Sequence, residues 1–262
     1  MQTPLTWDDL ILPEKTKETL QQILNSARAR FRVYHQWGLT QKRPRGLGLC
    51  ALFSGYSGTG KTTAAEIIAQ ELNLDCYRVD LSNIVSKYIG ETEKNLKRIF
   101  DAAEGGGVVL LFDEADALFG KRGEIKEARD RYANQEVSYL LQRIETYPGL
   151  TILTTNLKQA IDEAFERRFK FIVDFPKPDY WQRQEMWERM FPLETPTQGL
   201  DFDLLPKLNV SGGNLANVAL EAAFRAAAEE EAIQMKHILA AAKADAQRTG
   251  RQMHKSETEG WI

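Results

Sequence analysis

Three short stretches of this sequence carry residue types that can handle phosphate groups. The first is Gly55-Tyr56-Ser57-Gly58-Thr59-Gly60-Lys61-Thr62, with the spacing G-x-x-x-x-G-K-[ST]. Glycines at these positions let the backbone turn tightly, so that successive N–H groups point into one hollow. The positive end of a following helix adds to their pull on an anion. Lys61 would then reach the β- and γ-phosphates of a nucleotide, and the Thr62 hydroxyl would meet a Mg2+ ion. Thr63, next in the chain, is counted with the nucleotide contacts. A glycine-rich turn could match this spacing by chance. An apolar run before it and a helical pattern after it argue for the phosphate role.

The second stretch, Val108-Val109-Leu110-Leu111-Phe112-Asp113-Glu114, is an apolar run ending in two acids. A buried strand gains no stability from paired carboxylates at its end. Beside a phosphate-binding loop, Asp113 is placed to hold the Mg2+ shell and Glu114 to act as general base on a water. The plain alternative is a solvated strand end whose acids start a helix, and Asp116 suits such a capping role. The third stretch, Thr154-Thr155-Asn156, ends another apolar run. Ligands of open α/β sheets bind at the carboxyl ends of strands, so Asn156 is expected beside Glu114, orienting the water. Taken alone, an asparagine after a strand is a turn residue.

Positioning these groups takes a parallel sheet. Five apolar runs (49–53, 76–79, 108–112, 151–154 and 171–175) alternate with helical patterns. Leu96, Ile99, Phe100 and Ala103 share one helix face, and Val137, Leu140, Leu141 and Ile144 share another. The alternation predicts an α/β fold, a three-layer sandwich with a five-stranded parallel sheet, over residues 15–177, and the glycine-rich loop makes it of the P-loop NTPase type. Residues 1–14 read as an extended N-terminal linker. The helix that follows has Leu20, Ile23, Leu24, Ala27, Phe31 and Tyr34 on its apolar face, and residues 41–46 break it. Pro176-Lys177-Pro178 marks a boundary. Beyond it only helical patterns appear, at 179–190, 215–228 and 230–247, predicting a small all-helical lid domain over 178–249. The polar tail, 250–262, is expected to be disordered unless Trp261-Ile262 docks.

Together, over residues 6–247, these motifs resemble the AAA+ ATPases, and within them the AAA clade of protein-remodelling motors. The glycine-rich loop is similar to the Walker A motif, Asp113-Glu114 to Walker B and Asn156 to sensor 1. Trp7-Asp8-Asp9-Leu10 resembles the clade's linker near the adenine. Ile161-Asp162-Glu163-Ala164-Phe165-Glu166-Arg167-Arg168-Phe169 resembles its second region of homology. The resemblance implies ATP and Mg2+ as cofactors, ATP hydrolysis, and a homo-oligomeric ring, a hexamer, acting on a protein substrate. It also implies that Arg168 and Arg167 are the arginines that reach a neighbour's ATP. A guanidinium suits that task because it is always charged and can bond two phosphate oxygens at once. The clade separates its two arginines by two residues. Here they are adjacent, so one could be the finger and the other an intersubunit salt bridge. A basic surface pair is the plain alternative. Ser211-Gly212-Gly213-Asn214 resembles the small-residue turn of the clade's lid, which implies that Gly212 and Gly213 approach the adenine. A capped helix start is compatible with that.

Ser86-Lys87-Tyr88-Ile89-Gly90-Glu91 resembles the clade's first pore loop. The resemblance implies that Lys87, Tyr88 and Ile89 line a central channel. A tyrosine there would grip an extended chain without demanding a particular sequence. Residues 121–131 are rich in charge and fall where the second pore loop would lie, although a solvated helix face is the default for such a run. Among bacterial members, the sequence is most similar to ATPases encoded with contractile injection systems.

Composition narrows the alternatives. With 34 Lys+Arg against 37 Asp+Glu, the 262-residue chain has a net charge of −3, which argues against a strongly basic nucleic-acid or membrane-surface protein. No apolar run approaches the ~18–20 residues of a membrane span, and residues 1–10 lack the basic start of a signal peptide. Cys50 and Cys76 lack metal-ligand spacing and read as reduced core thiols of a cytoplasmic protein. The three histidines, His35, His237 and His254, are far apart, so no zinc site is expected. Other candidates are an AAA+ switch acting on DNA as an initiator or loader, an ATP-stabilised assembly scaffold, and a kinase. Glu114 and Asn156 argue against a scaffold, since holding ATP needs neither. The paired arginines and helical lid argue against a kinase. Little sequence precedes Trp7, so either a recruiting partner brings the substrate or the chain is the motor fragment of a longer protein.

Overall fold

The computed structural model describes residues 3–42, 48–84, 91–104, 107–116, 128–157 and 166–261. Its contacts divide the chain into two units. One comprises Met1–Gly55 and Lys61–Phe175, the other Tyr56–Gly60 and Pro176–Ile262.

The first unit is built on five strands: β1 (Leu49–Gly55), β2 (Cys76–Asp80), β3 (Val109–Asp113), β4 (Leu150–Thr155) and β5 (Phe171–Phe175). Their order is β2-β3-β4-β1-β5 and every pairing is parallel. Parallel neighbours need crossovers. Among the described residues α2 (Lys61–Glu71), α3 (Glu91–Glu104) and α4 (Ala128–Thr146) lie in these crossovers, and α1 (Glu14–Phe31) precedes the first strand. The inner strands are apolar on both faces because both are covered. Along β1, Leu49, Ala51 and Phe53 enter one core with Ala64, Ile67 and Ile68 of α2. Cys50 and Leu52 enter the other, with Leu96 and Phe100 of α3 and Leu140 and Ile144 of α4. The register Leu110↔Thr151 and Leu49↔Leu150 brings the carboxyl ends of β3, β4 and β1 together, where the three chemical stretches lie.

In the second unit, α5 (Tyr180–Glu188), α6 (Gly212–Ala228) and α7 (Met235–Thr249) enclose a core that includes Trp187, Leu215, Val218, Ile238 and Trp261. Local chemistry fixes the ends of these helices. Asp179 and Gln182 exchange side-chain-to-backbone hydrogen bonds at 2.8 and 3.0 Å and start α5. Gly250, with φ 66°, closes α7 in the left-handed conformation.

Four sequence expectations need correction. Residues 1–14 are not simply extended: Trp7–Asp9 form a 3-10 turn, and Leu10, Ile11 and Leu12 are buried. The apolar face of α1 buries Leu20, Ile23 and Leu24, but Phe31 is 65% exposed. The chain widens into a π-helical turn, Arg32–Gln36, which rotates later side chains off the 3.6-residue face. The last helix starts at Met235, not near residue 230, because Glu230 is left-handed (φ 55°) and Ile233 bridges Thr197. The tail is ordered against the second unit. Trp261 is 3% exposed, and Glu257 accepts the Asn209 N–H at 2.9 Å and pairs with Arg251 at 2.8 Å. Burial of a tryptophan and a satisfied carboxylate outweigh the polar composition that suggested disorder.

Candidate nucleotide-binding site

The glycine-rich loop leaves β1 under strict geometry. A Cβ on Gly55 would overlap the Phe175 carbonyl of β5. Gly58 and Gly60 have φ of 74° and 94°, where a side chain costs about 1–2 kcal/mol. The Thr59 hydroxyl donates to the Tyr56 carbonyl at 2.8 Å and ties the loop to itself, while Tyr56 and Ser57 are exposed. Within the second unit, Gly213 donates its N–H to the Gly58 carbonyl at 2.9 Å. A Cβ on Gly213 would come 3.0 Å from the Gly58 Cα. Gly212 and Gly213, the first residues of α6, therefore back onto the loop.

Lys61 opens α2, with Thr62 and Thr63 half-buried behind it. Its ammonium donates to the Gly55 carbonyl at 2.7 Å and to the Asn156 Oδ1 at 2.9 Å. It is only 7% exposed, and burial lowers its pKa, opposed by the charges of Asp116 and Asp113. A phosphate bound in the loop would bring further negative charge to this buried ammonium, a charge-assisted contact.

Asp113 ends β3 and is buried. Its Oδ1 accepts the Thr154 hydroxyl and, at 3.2 Å, the Glu114 N–H; its Oδ2 lies 2.6 Å from the Arg78 guanidinium. The Glu114 N–H is also 3.3 Å from the Thr154 Oγ1, and the Ala115 N–H donates to the Thr154 carbonyl at 2.9 Å. Glu114 itself is left-handed, with φ 56° and an exposed side chain. A strained non-glycine residue held by its neighbours is a feature of functional sites. Asp116, read from sequence as a helix cap, accepts the Thr155 hydroxyl and the Asn156 N–H at 3.0 and 3.1 Å. It thus holds the backbone of Asn156. Sequence reasoning missed this role and that of Arg78, because both depend on strand register. The hard oxygen donors of Asp113 and Thr62 fit a Mg2+ ion.

The arginine pair lies elsewhere. Phe169 is buried in the core and anchors the turn before β5. The Cys50 thiol donates to the Arg168 carbonyl at 2.8 Å, placing Arg168 beside the start of β1. Its guanidinium is 3.3 Å from the Glu145 carboxylate. Cys50 and Gly55 are five strand residues apart, roughly 16 Å at ~3.3 Å per residue. Arg168 therefore does not meet Lys61 of its own chain.

The family described as "ATPase family associated with various cellular activities (AAA)" matches residues 51–177. This segment is an AAA ATPase domain. Among curated relatives, an uncharacterised AAA family ATPase of Sinorhizobium fredii is 39% identical over 49% of this chain and 39% of its own length. A protein of Sulfolobus acidocaldarius named cell division protein C is 30% identical over 68% of this chain and 51% of its own. A proteasome-activating nucleotidase of Saccharolobus islandicus is 28% identical over 82% of this chain and 55% of its own. The chain thus spans about half the length of the relatives it matches.

Several expected residues lie outside the described ones: Lys87, Tyr88 and Ile89 of the first pore-loop stretch, residues 161–165 before the arginines, and residues 121–127 of the charged run. Among the described residues no helix is long and apolar enough to cross a membrane. Glu229, Glu231 and His237 of the second unit approach one another closely enough to suggest a metal cluster. However, the Lys236 ammonium lies 3.1 and 2.6 Å from the two acids, and the His237 Nδ1 accepts the Gln234 N–H at 3.0 Å. The Nε2, at 3.0 Å from Glu229, is then the protonated nitrogen, so the group is an internal ion pair.

Proposed function

We propose that the AAA domain binds ATP with Mg2+ and hydrolyses it, as one subunit of a cytoplasmic ring, a hexamer, that remodels a protein substrate. The carrying observation is the buried Lys61 ammonium, which joins the glycine-rich loop to Asn156 at the end of β4. In this reading the loop N–H groups and Lys61 bind the phosphates, and Gly212 and Gly213 support the loop from behind Gly58. Asp113 and Thr62 hold Mg2+, which supplies charge neutralisation on the phosphates. Glu114 takes the proton of the attacking water, and Asn156, with its backbone fixed by Asp116, orients that water. The place of Arg168 at the foot of β1 supports action on a neighbour's nucleotide, with Arg167 beside it. The protein substrate rests on the resemblance of Lys87, Tyr88 and Ile89 to a pore loop. A relative named for proteasome activation supports it.

Glu114→Gln is expected to bind ATP and fail to hydrolyse it; retained turnover removes Glu114 as the base. Lys61→Ala is expected to lose nucleotide binding. Wild-type chains mixed with Arg168→Ala should lose more activity than dilution explains, and a rate proportional to wild-type content would argue against action in trans. Tyr88→Ala should keep basal turnover and lose remodelling.

A further inference from the structure

The ion pair between Arg78 and Asp113 has no place in that scheme. Arg78 lies on β2 and Asp113 on β3, and the register pairs Arg78 with Leu111 and Asp80 with Asp113. Paired residues share a face and side chains repeat every second residue, so Arg78, Asp80, Leu111 and Asp113 all point to one side of the sheet. That is the side of α2, because Leu111 packs with Ala64, Ile67 and Ile68. Arg78 reaches along its strand to the carboxylate, and Nη2 stands 2.6 Å from Oδ2. The other oxygen is already engaged by the Thr154 hydroxyl and the Glu114 N–H. Oδ2 is therefore the oxygen through which Asp113 could take a metal, and Arg78 occupies it. The guanidinium has room to swing: its side chain is 44% exposed, and β2 is one of the two edge strands.

We propose that Arg78 competes with Mg2+ for Asp113, acting as an internal counter-ion that the metal displaces on entry. The inference rests on the nucleotide reading above and goes beyond it. Arg78 neutralises Asp113, which faces a second carboxylate at Asp80, and it raises the Mg2+ concentration at which the site becomes metal-loaded.

The test uses the full chain and a fluorescent N-methylanthraniloyl-ADP, read by anisotropy, so that no turnover is needed. Affinity is measured first in excess chelator and then against increasing free Mg2+, for wild type, Arg78→Gln and Arg78→Lys. Chelator affinities should agree, which also shows that the variants fold. The Mg2+ midpoint of Arg78→Gln should fall by about two- to fivefold, the range of a half-exposed ion pair, with Arg78→Lys between. Nucleotide binding by all three proteins with the same midpoint overturns this inference alone. A higher midpoint for Arg78→Gln also overturns it, and would make Arg78 a residue that positions Asp113 for the metal. Failure of the wild type to bind nucleotide in either condition overturns the nucleotide reading and this inference with it.

Discussion

Alanine at Gly58 introduces two separable costs. The first is conformational: at φ 74° a side chain costs about 1–2 kcal/mol. The second is steric. The new Cβ would stand 2.6 Å from the Ser211 Oγ. Relief requires that hydroxyl to rotate away from the Asn214 Oδ1, to which it donates at 2.7 Å. Losing that hydrogen bond costs about 0.5–1.5 kcal/mol, so the total is roughly 1.5–3.5 kcal/mol. Gly250→Ala provides the comparison, because its φ is 66° and nothing lies within 4 Å of the added Cβ, leaving only the conformational cost. Urea unfolding followed by tryptophan fluorescence reports the second unit through buried Trp187 and Trp261, beside a signal from Trp7 and Trp37 of the first. In a Ser211→Ala background the hydroxyl and its bond are already gone. The cost of Gly58→Ala should then drop towards that of Gly250→Ala, remaining above it because the added Cβ still stands 3.3 Å from the Gly213 Cα, and the coupling should be about 0.5–1.5 kcal/mol. An equal cost of Gly58→Ala in both backgrounds would refute the assignment of the contact.

Trp261→Ala should destabilise the second unit by about 3–5 kcal/mol in the same urea assay, as expected for a large buried aromatic. Burial alone would raise the Glu257 carboxyl, but the N–H groups of Asn209 and His254 and the Arg251 guanidinium outweigh it and hold its pKa low. A folded pKa below the unfolded value of about 4.3 gives stability that is full above that pH and lost as pH falls through the folded pKa. The gap in urea midpoint between wild type and Glu257→Gln should therefore be widest at neutral pH and close in acid. Burial raises both cysteine pKa values, that of Cys76 to about 11, so a thiol-specific reagent at pH 8 should label them only as fast as the protein opens. Asp116→Ala should leave nucleotide affinity nearly intact and lower ATP turnover by about ten- to a hundredfold, the worth of a charge-assisted hydrogen bond to Asn156. Unchanged turnover would remove Asp116 from the positioning of Asn156.

The strands were legible because each inner strand is a short apolar run between covered faces, and the glycine-rich loop was legible because its spacing is local. Helix faces followed from periodicity along the buried part of α1, but Phe31, its last residue, is exposed, and the π turn Arg32–Gln36 then takes the chain off the α geometry. What sequence could not supply was contact between remote residues. Arg78 belongs with Asp113 only because β2 and β3 pair in one register, and Asp116 with Asn156 only because β3 and β4 end together. The left-handed backbone of Glu114 has no signature in residue type. The tail misled because its polar residues outnumber the one tryptophan that fastens it.

The alternation along the inner strands makes chain length itself a constraint. On β3, Val109 and Leu111 enter one core while Leu110 and Phe112 enter the other, and Asp113 continues the first series. Deleting a single residue within Val109–Asp113 would exchange the two sets of side chains and turn the carboxylate to the face that Arg78 does not share. No compensating point substitution could restore both packing and chemistry. Insertions and deletions tolerated in this chain should accordingly fall in connecting segments, and the spacing from Val109 to Glu114 should stay fixed even where every apolar residue between them is exchanged for another.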